Sequence, residues 1–338
     1  MRLRLLSAAV IAMIATGAWA QNLNGAGATF PNPIYSRWFA EYAQQHPNVH
    51  INYQSVGSGA GIQQVTQKTV DFGASDGPMT DQQLATAKNN GVDIIHIPTV
   101  LGAVVPVYNV PGVSQDLHFA PEVIAGIYLG KITMWDDGNL QHDNPGVKLP
   151  HQRILPVYRS DGSGTNYIWT DFLSKVVPEF QQRIGKGTSV KWPTGIGQKG
   201  NEGVAGMVRS TKGAFGYVEL IYALQNHMQF GLVRNASFKY VKASVASVTA
   251  AAAGAAKNMP ADYRVSITNA PGADAYPISS FTWLLIPQHW DDQAKGKVMV
   301  DFLNWMLDHG EGEVSALDYA PLPKTVADKV RVTIRQIH

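Results

Sequence analysis

Four short stretches of the chain combine glycine with small hydroxyl residues, and two of them add charge. They are "GAGATFP" (25–31), "VGSGAG" (56–61), "DFGASDGP" (71–78) and "RSDGSGT" (159–165). Each is expected to precede a helix, where the free N–H groups of the first turn and the positive dipole end favour an anion. Glycine lets an anion reach the backbone, and serine and threonine add uncharged hydroxyl donors. Arg159 can grip an oxyanion with a planar two-pronged donor, and Asp161, two residues on, can orient that arginine. Singly, each stretch reads as an ordinary turn; four at equivalent junctions read as an anion cradle.

Other chemistries fit less well. "GIGQKG" (195–200) has the spacing of a dinucleotide-binding loop, but no clear strand leads into it through Pro193. No Gly-Lys-Ser/Thr occurs, and Ser163 sits in D-G-S-G-T, not in the G-x-S-x-G elbow of serine hydrolases. His46 and His50 are four apart, but Pro47 interrupts the helix that would align them for a metal. Trp38, Trp135, Trp192, Trp283, Trp290 and Trp305 read as packing groups, and "MWDDGN" (134–139) reads as a solvated turn. No metal or cofactor is expected.

The elements that must position these loops follow from periodicity. Helices are expected over 33–46, 59–70, 80–91, 120–130, 168–184, 201–210, 243–260 and 294–310. Strands are expected over 49–56, 153–160, 213–220 and 279–287, and two more within 92–112, broken at Pro98 and Pro106. The segment 134–150 reads as a polar loop. Strands alternate with helices, which argues an α/β architecture. Two apolar crossings, near 98–106 and 277–287, suggest a chain that leaves one domain, builds a second and returns.

The first twenty residues, "MRLRLLSAAVIAMIATGAWA", read as a secretory signal cleaved after Ala20: Arg2 and Arg4 precede an apolar run too short to span a bilayer. No cysteine follows that could carry a lipid, and with no cysteine anywhere the core alone must hold the fold. The chain carries 27 Lys+Arg against 25 Asp+Glu, so loss of the two leader arginines leaves 25 of each. A neutral mature chain argues against nucleic acid or a membrane surface as partner, so any anion must be bound by local geometry.

The stretches "GAGATFPNPIY", "VDFGASD", "YLGKITMWDD", "DGSGTNYIWTDFL", "GNEGVAG", "GAFGYVE" and "LDYAPLP" resemble, in this order, the periplasmic phosphate-binding proteins of phosphate-specific ABC transporters. The resemblance implies a two-lobed Venus-flytrap fold, each lobe a mixed α/β sheet flanked by helices and joined to the other by crossing strands. It implies lobes at 21–102 plus 276–338 and at 103–275. It assigns phosphate contacts to the Thr29 hydroxyl and Phe30 N–H, to Ser58, to Asp76 as acceptor, and to Arg159, Ser163, Gly164 and Thr165, with Asp161 supporting Arg159. The family commonly has a further serine where this chain has Gly59. Implied, too, are a soluble periplasmic monomer, a binder and not an enzyme, and a partnership with two transmembrane permease subunits and their ATPase. A binder of another tetrahedral oxyanion, or a secreted phosphatase or adhesion protein on the same scaffold, are the alternatives. Asp76 disfavours the first, because phosphate still carries a proton near neutral pH that a carboxylate can accept, whereas sulfate offers none.

Overall fold

A computed structural model describes residues 21–338; the expected signal peptide lies outside the described residues. In chain order the strands are β1 (Gln21–Gly27), β2 (Val49–Ser55), β3 (Phe72–Ser75), β4 (Ile94–Tyr108), β5 (His118–Phe119) and β6 (Leu155–Arg159). They continue with β7 (Ile196–Gln198), β8 (Ala214–Glu219), β9 (Gln229–Phe230), β10 (Leu232–Arg234), β11 (Tyr240–Val241) and β12 (Ser279–Pro287). The main sheet runs β2-β1-β3-β12-β4-β8-β6-β7, with β9 also on β4, and β11-β10-β5 form a small second sheet.

The sheet is mixed. β1 is parallel to β2 and β3, β12 is antiparallel to β3 and β4, β4 is antiparallel to β8, and β6 is parallel to β8 and β7. β4 joins the two halves. Its residues from Ile94 to Ala103 pair with β12, and those from Val104 to Tyr108 pair with β8. The return path lies beside it: Val104 N–H donates to the Ile278 carbonyl (2.9 Å) and Tyr276 Oη to that of Val104 (2.9 Å).

The proline-broken pair of strands expected within 92–112 is thus one strand, buried without interruption from His96 to Tyr108. Pro98 is absorbed because the pairing with β12 slips there. Trp283 faces Pro98 and Thr282 faces Val100, which leaves Thr99 unopposed in a bulge. A residue without an N–H is tolerated at such an irregularity. Thr99 then puts its hydroxyl to use, meeting Tyr35 Oη at 2.8 Å.

Most expected helices are present, with instructive differences. The helix expected over 168–184 begins earlier, at Gly164, ends at Val176, and a new one runs Pro178–Arg183, since the residue before a proline disfavours helical geometry. The loop at 134–150 contains a short helix, Gly138–Asp143, capped by Asp137. β1 was hidden in glycine-rich sequence and takes its order from parallel pairing on both sides. Trp38, Trp135, Trp283, Trp290 and Trp305 are buried, in line with packing roles.

Candidate functional site

Three of the strands deliver the chain to one place. β1 ends at Gly27, β3 at Ser75 and β6 at Arg159, and the residues that follow each are Thr29 and Phe30, Asp76, and Asp161 to Thr165. Carboxyl ends of strands in such sheets are where loops converge on ligands. Helix Ser58–Thr66 follows β2 and brings Ser58. Two of the four expected junctions do open helices directly, at Ser58 and at Gly164. The stretch 25–31 likewise runs straight into a helix, which starts at Asn32 just after Thr29 and Phe30; only the third differs, Asp76 following a strand and the next helix starting at Asp81 behind the Thr80 cap.

The loops from the two halves of the sheet meet backbone to backbone. Gly59 N–H donates to the Gly162 carbonyl at 2.8 Å. A Cβ on Gly59 would stand 3.0 Å from the Gly162 Cα, so the serine common in the family would need the facing Gly162 backbone to give by a few tenths of an ångström. Gly164 is equally confined: a Cβ there would fall 2.5 Å from both Asp76 Oδ2 and Ser58 Oγ. Gly164→Ala is therefore expected to wedge the halves apart, disfavouring the closed arrangement by about 1–3 kcal/mol as overpacking does. Small-angle scattering should show a larger radius of gyration, and an unchanged one would contradict the close fit.

Hydroxyls line the junction in a defined polarity. Ser58 Oγ accepts the N–H of Gly164 (3.0 Å) and of Asp76 (3.3 Å), and Ser163 Oγ caps its helix by accepting the N–H of Asn166 (3.0 Å). Backbone N–H groups can only donate, so the one proton of each serine is directed elsewhere. Arg159 and Asp161 form a bidentate pair, Nε to Oδ1 at 2.8 Å and Nη2 to Oδ2 at 2.5 Å, with the arginine side chain only 1% exposed. Asp161 also accepts Gly200 N–H at 3.2 Å. Burial works to raise the Asp161 carboxyl, but the Arg159 fork holds it below the usual carboxylate range.

Two polar atoms of the assigned site residues are left over. Among the described residues, Arg159 Nη1 and Asp76 Oδ2 are buried without a hydrogen-bond partner, an arrangement that costs free energy unless something fills it. The other Asp76 oxygen, Oδ1, accepts from Thr282 Oγ1 at 2.8 Å. Burial pushes the Asp76 carboxyl up to about 7, against the Thr282 hydrogen bond and the Arg159 charge, which pull it down. A carboxyl raised in this way favours the closed arrangement while protonated. That contribution is complete below the solvated value of 3.8, fades as pH rises, and is gone above about 7. The closed fraction of the anion-free protein, read by a distance probe across the cleft, is thus expected to fall between those pH values and then level off. Asp76→Asn should flatten the profile.

The structure brings Ser58, Asp76 and Gly164 into direct contact and sets Arg159 and Asp161 beside them. Thr29, 2% exposed, and Thr165, fully buried, meet through a residue that the sequence reading left unassigned, Asn201, whose Nδ2 reaches both hydroxyls. Phe30 is fully buried, its carbonyl accepts Tyr319 Oη at 2.6 Å, and it joins the cluster through its neighbour Thr29. Thr282 was also missed. Asn201 had a legible signal, since "KGNEG" opens a helix at Gly200 just as the four chosen stretches were expected to; Thr282 sits inside an apolar strand and had none. The cluster is enclosed, and a cavity of about 630 Å3 bordered by Met79, Tyr167, Lys186 and Arg264 opens beside it.

A mixed α/β sheet shared by two lobes, with strand ends and helix starts from both converging on a buried donor-rich cluster, defines a two-lobed solute-binding protein. The profile of the PBP superfamily domain matches residues 15–309. The chain is 41% identical to the phosphate-binding protein PstS of Pasteurella multocida, over 97% of this chain and 94% of that one. It is 39% identical to the PstS of Haemophilus influenzae, over 93% and 92%. The chain belongs to the PBP superfamily and, within it, to the PstS phosphate-binding protein family. Among solved structures it resembles a high-affinity periplasmic phosphate-binding protein, PfluDING, bound with phosphate, at TM-score 0.74 and 21% identity, covering 92% of this chain and 93% of that one. The phosphate-binding protein of Stenotrophomonas maltophilia aligns at TM-score 0.71 and 22% identity, covering 93% and 94%, and both likenesses bear on the fold alone.

Proposed function

We propose that this protein binds inorganic phosphate between its lobes and delivers it to an ABC-type importer. The observation that carries the reading is the pair of unpartnered buried atoms: a donor, Arg159 Nη1, and an acceptor, Asp76 Oδ2, within a cluster of hydroxyl and backbone donors. An oxyanion that still bears a proton satisfies both kinds at once. The ligands are the Thr29 and Ser58 hydroxyls, the Phe30 N–H, Asp76, the Arg159 guanidinium, Ser163, the Gly164 N–H and Thr165, with Asp161 holding Arg159. In the closed arrangement Gly164 N–H and Ser58 Oγ bond to each other, and phosphate competes for both.

The lobes divide as residues 21–102 with 276–338, and 103–275. The change of partner along β4 between Ala103 and Val104 supports the first boundary. Near the second, Tyr263 and Arg264 lie against the first lobe, with Trp283 Nε1 donating to the Tyr263 carbonyl and Arg264 Nη1 to that of Met79. Ser266 and Thr268 instead bond to Asp171 on the helix after the Arg159 loop, so this segment straps the lobes together.

Mechanism is capture and release without chemical change. Phosphate docks on one lobe, closure completes the hydrogen bonds and excludes water, and the altered surface is what the two permease subunits and their ATPase read. The leader directs the protein to the periplasm, where it acts as a soluble monomer; among the described residues no helix is long and apolar enough to cross a membrane. Calorimetry on the chain from residue 21, with phosphate, sulfate and arsenate, tests the reading. One phosphate per chain and no turnover of a chromogenic phosphate ester is the expected result; hydrolysis, or a preference for sulfate, would overturn it.

A further inference from the structure

We propose that Asn201, which is not among the phosphate ligands, is a positioning residue that turns the hydroxyl protons of Thr29 and Thr165 toward the anion. The inference rests on the phosphate reading above and concerns how the site acquires its polarity.

Asn201 is fully buried at the start of helix Gly200–Ser210. Its Oδ1 accepts the backbone N–H of Glu219 at 3.0 Å. A backbone N–H can only donate, so this contact fixes which end of the amide is oxygen and which is nitrogen. The Nδ2 end therefore faces Thr29 Oγ1 at 2.7 Å and Thr165 Oγ1 at 3.1 Å. The backbone N–H of Asn201 adds a second donor to Thr29 Oγ1 at 3.3 Å. Each threonine oxygen must then accept, and Thr29 has both lone pairs engaged. A hydroxyl whose acceptor capacity is taken has one thing left to offer, its proton.

Ser163 reaches the same condition through the backbone N–H of Asn166 in its own helix, and Ser58 through the backbone N–H groups of Asp76 and, across the lobes, Gly164. Thr29 and Thr165 come from opposite lobes, and one side chain serves both. Without the Asn201 side chain Thr165 loses this donor and Thr29 keeps only the longer backbone one, so their hydroxyls are freer to rotate and present a lone pair to the anion, which repels it. The amide thus makes the cluster a field of donors with Asp76 the single acceptor. Its effect depends on closure, because the bond to Thr29 crosses between lobes while that to Thr165 stays within one.

Phosphate calorimetry on the signal-cleaved chain carrying Asn201→Ala tests this, with thermal unfolding as a check on folding. Affinity is expected to drop about 10- to 100-fold, the scale of losing a well-directed hydrogen bond to a charged group. The decisive arm repeats the substitution where Thr29 and Thr165 are already valine, which keeps their shape and removes the hydroxyls. There Asn201→Ala should cost less than about threefold, because the groups it orients are gone. Phosphorus-edited proton NMR of the unmodified complex should correlate hydroxyl protons of Thr29 and Thr165 with the bound phosphate, and Asn201→Ala should abolish the Thr165 signal and weaken that of Thr29, which keeps the backbone donor. Equal losses in the two backgrounds, unchanged affinity in Asn201→Ala, or a Thr165 hydroxyl signal that persists undiminished in it would each overturn the proposal. Absence of phosphate binding by the unmodified chain would instead overturn the phosphate reading on which it stands.

Discussion

Asp76→Asn is expected to cut the preference for phosphate over sulfate by about a hundredfold or more. The size follows from what a buried, desolvated acceptor does to a ligand with no proton to give, a penalty that can reach several powers of ten. Asp76 is 1% exposed, and its Oδ2 has no other partner among the described residues. Sulfate would meet that oxygen lone pair to lone pair, whereas protonated phosphate donates to it. The substitution has a defined outcome because Thr282 Oγ1 already donates to Oδ1. An asparagine keeps its oxygen on Thr282 and so presents its NH2 where Oδ2 stood. A repelling acceptor becomes a donor, sulfate gains a hydrogen bond, and phosphate, which can accept as well as donate, should stay within about tenfold of its original affinity. Competition calorimetry reads the ratio directly. A ratio unmoved by the exchange would remove Asp76 from selectivity.

Much of the architecture was legible because it depends on local pattern. β12 runs over the apolar stretch 279–287 with the bounds the sequence suggested, and helix Gln293–Asp308 follows its amphipathic spacing. What failed depended on partners distant in the chain. Pro98 argued for a strand break, and only the slipped register of β12, nearly 190 positions away, makes it an irregularity inside one strand. The glycines of β1 suggested a loop because their strand role exists only once β2 and β3 flank them.

The site divides the same way. Arg159 and Asp161 are two positions apart, so their pairing could be read from the sequence, and it is present as a buried fork. Ser163 caps its helix as a serine before a helix should. The purpose of the glycines was only half visible. Glycine in this loop is expected to clear space for an anion, yet Gly162 meets Gly59 and Gly164 meets Asp76 and Ser58, so they also clear space for the other lobe. Asn201 lies 172 positions from Thr29 and 36 from Thr165. No local pattern joins the three, and only the closed fold shows one amide serving two lobes.

Arg159→Met is expected to lower stability by about 3–5 kcal/mol and to abolish tight phosphate binding, and the two losses have different causes. Removing the guanidinium leaves the Asp161 carboxylate buried with one donor, Gly200 N–H, and breaking one side of a buried pair carries a penalty of that size. Binding suffers separately. Nε–H and one Nη2 N–H are committed to Asp161, so both Nη1 N–H groups and the second Nη2 N–H are left for the anion, and the fork aims them. Arg159→Lys should therefore fail as well, since one ammonium cannot grip both Asp161 oxygens and still present an aimed donor, and a loss of about a hundredfold in affinity is expected. Adding Asp161→Asn to Arg159→Met separates the two roles, because the neutral amide still accepts Gly200 N–H and leaves no buried charge. Denaturant unfolding should show most of the stability regained, while calorimetry should show phosphate binding still lost. If the double variant bound phosphate as tightly as the unmodified protein, Arg159 would be a brace for Asp161 and not a ligand.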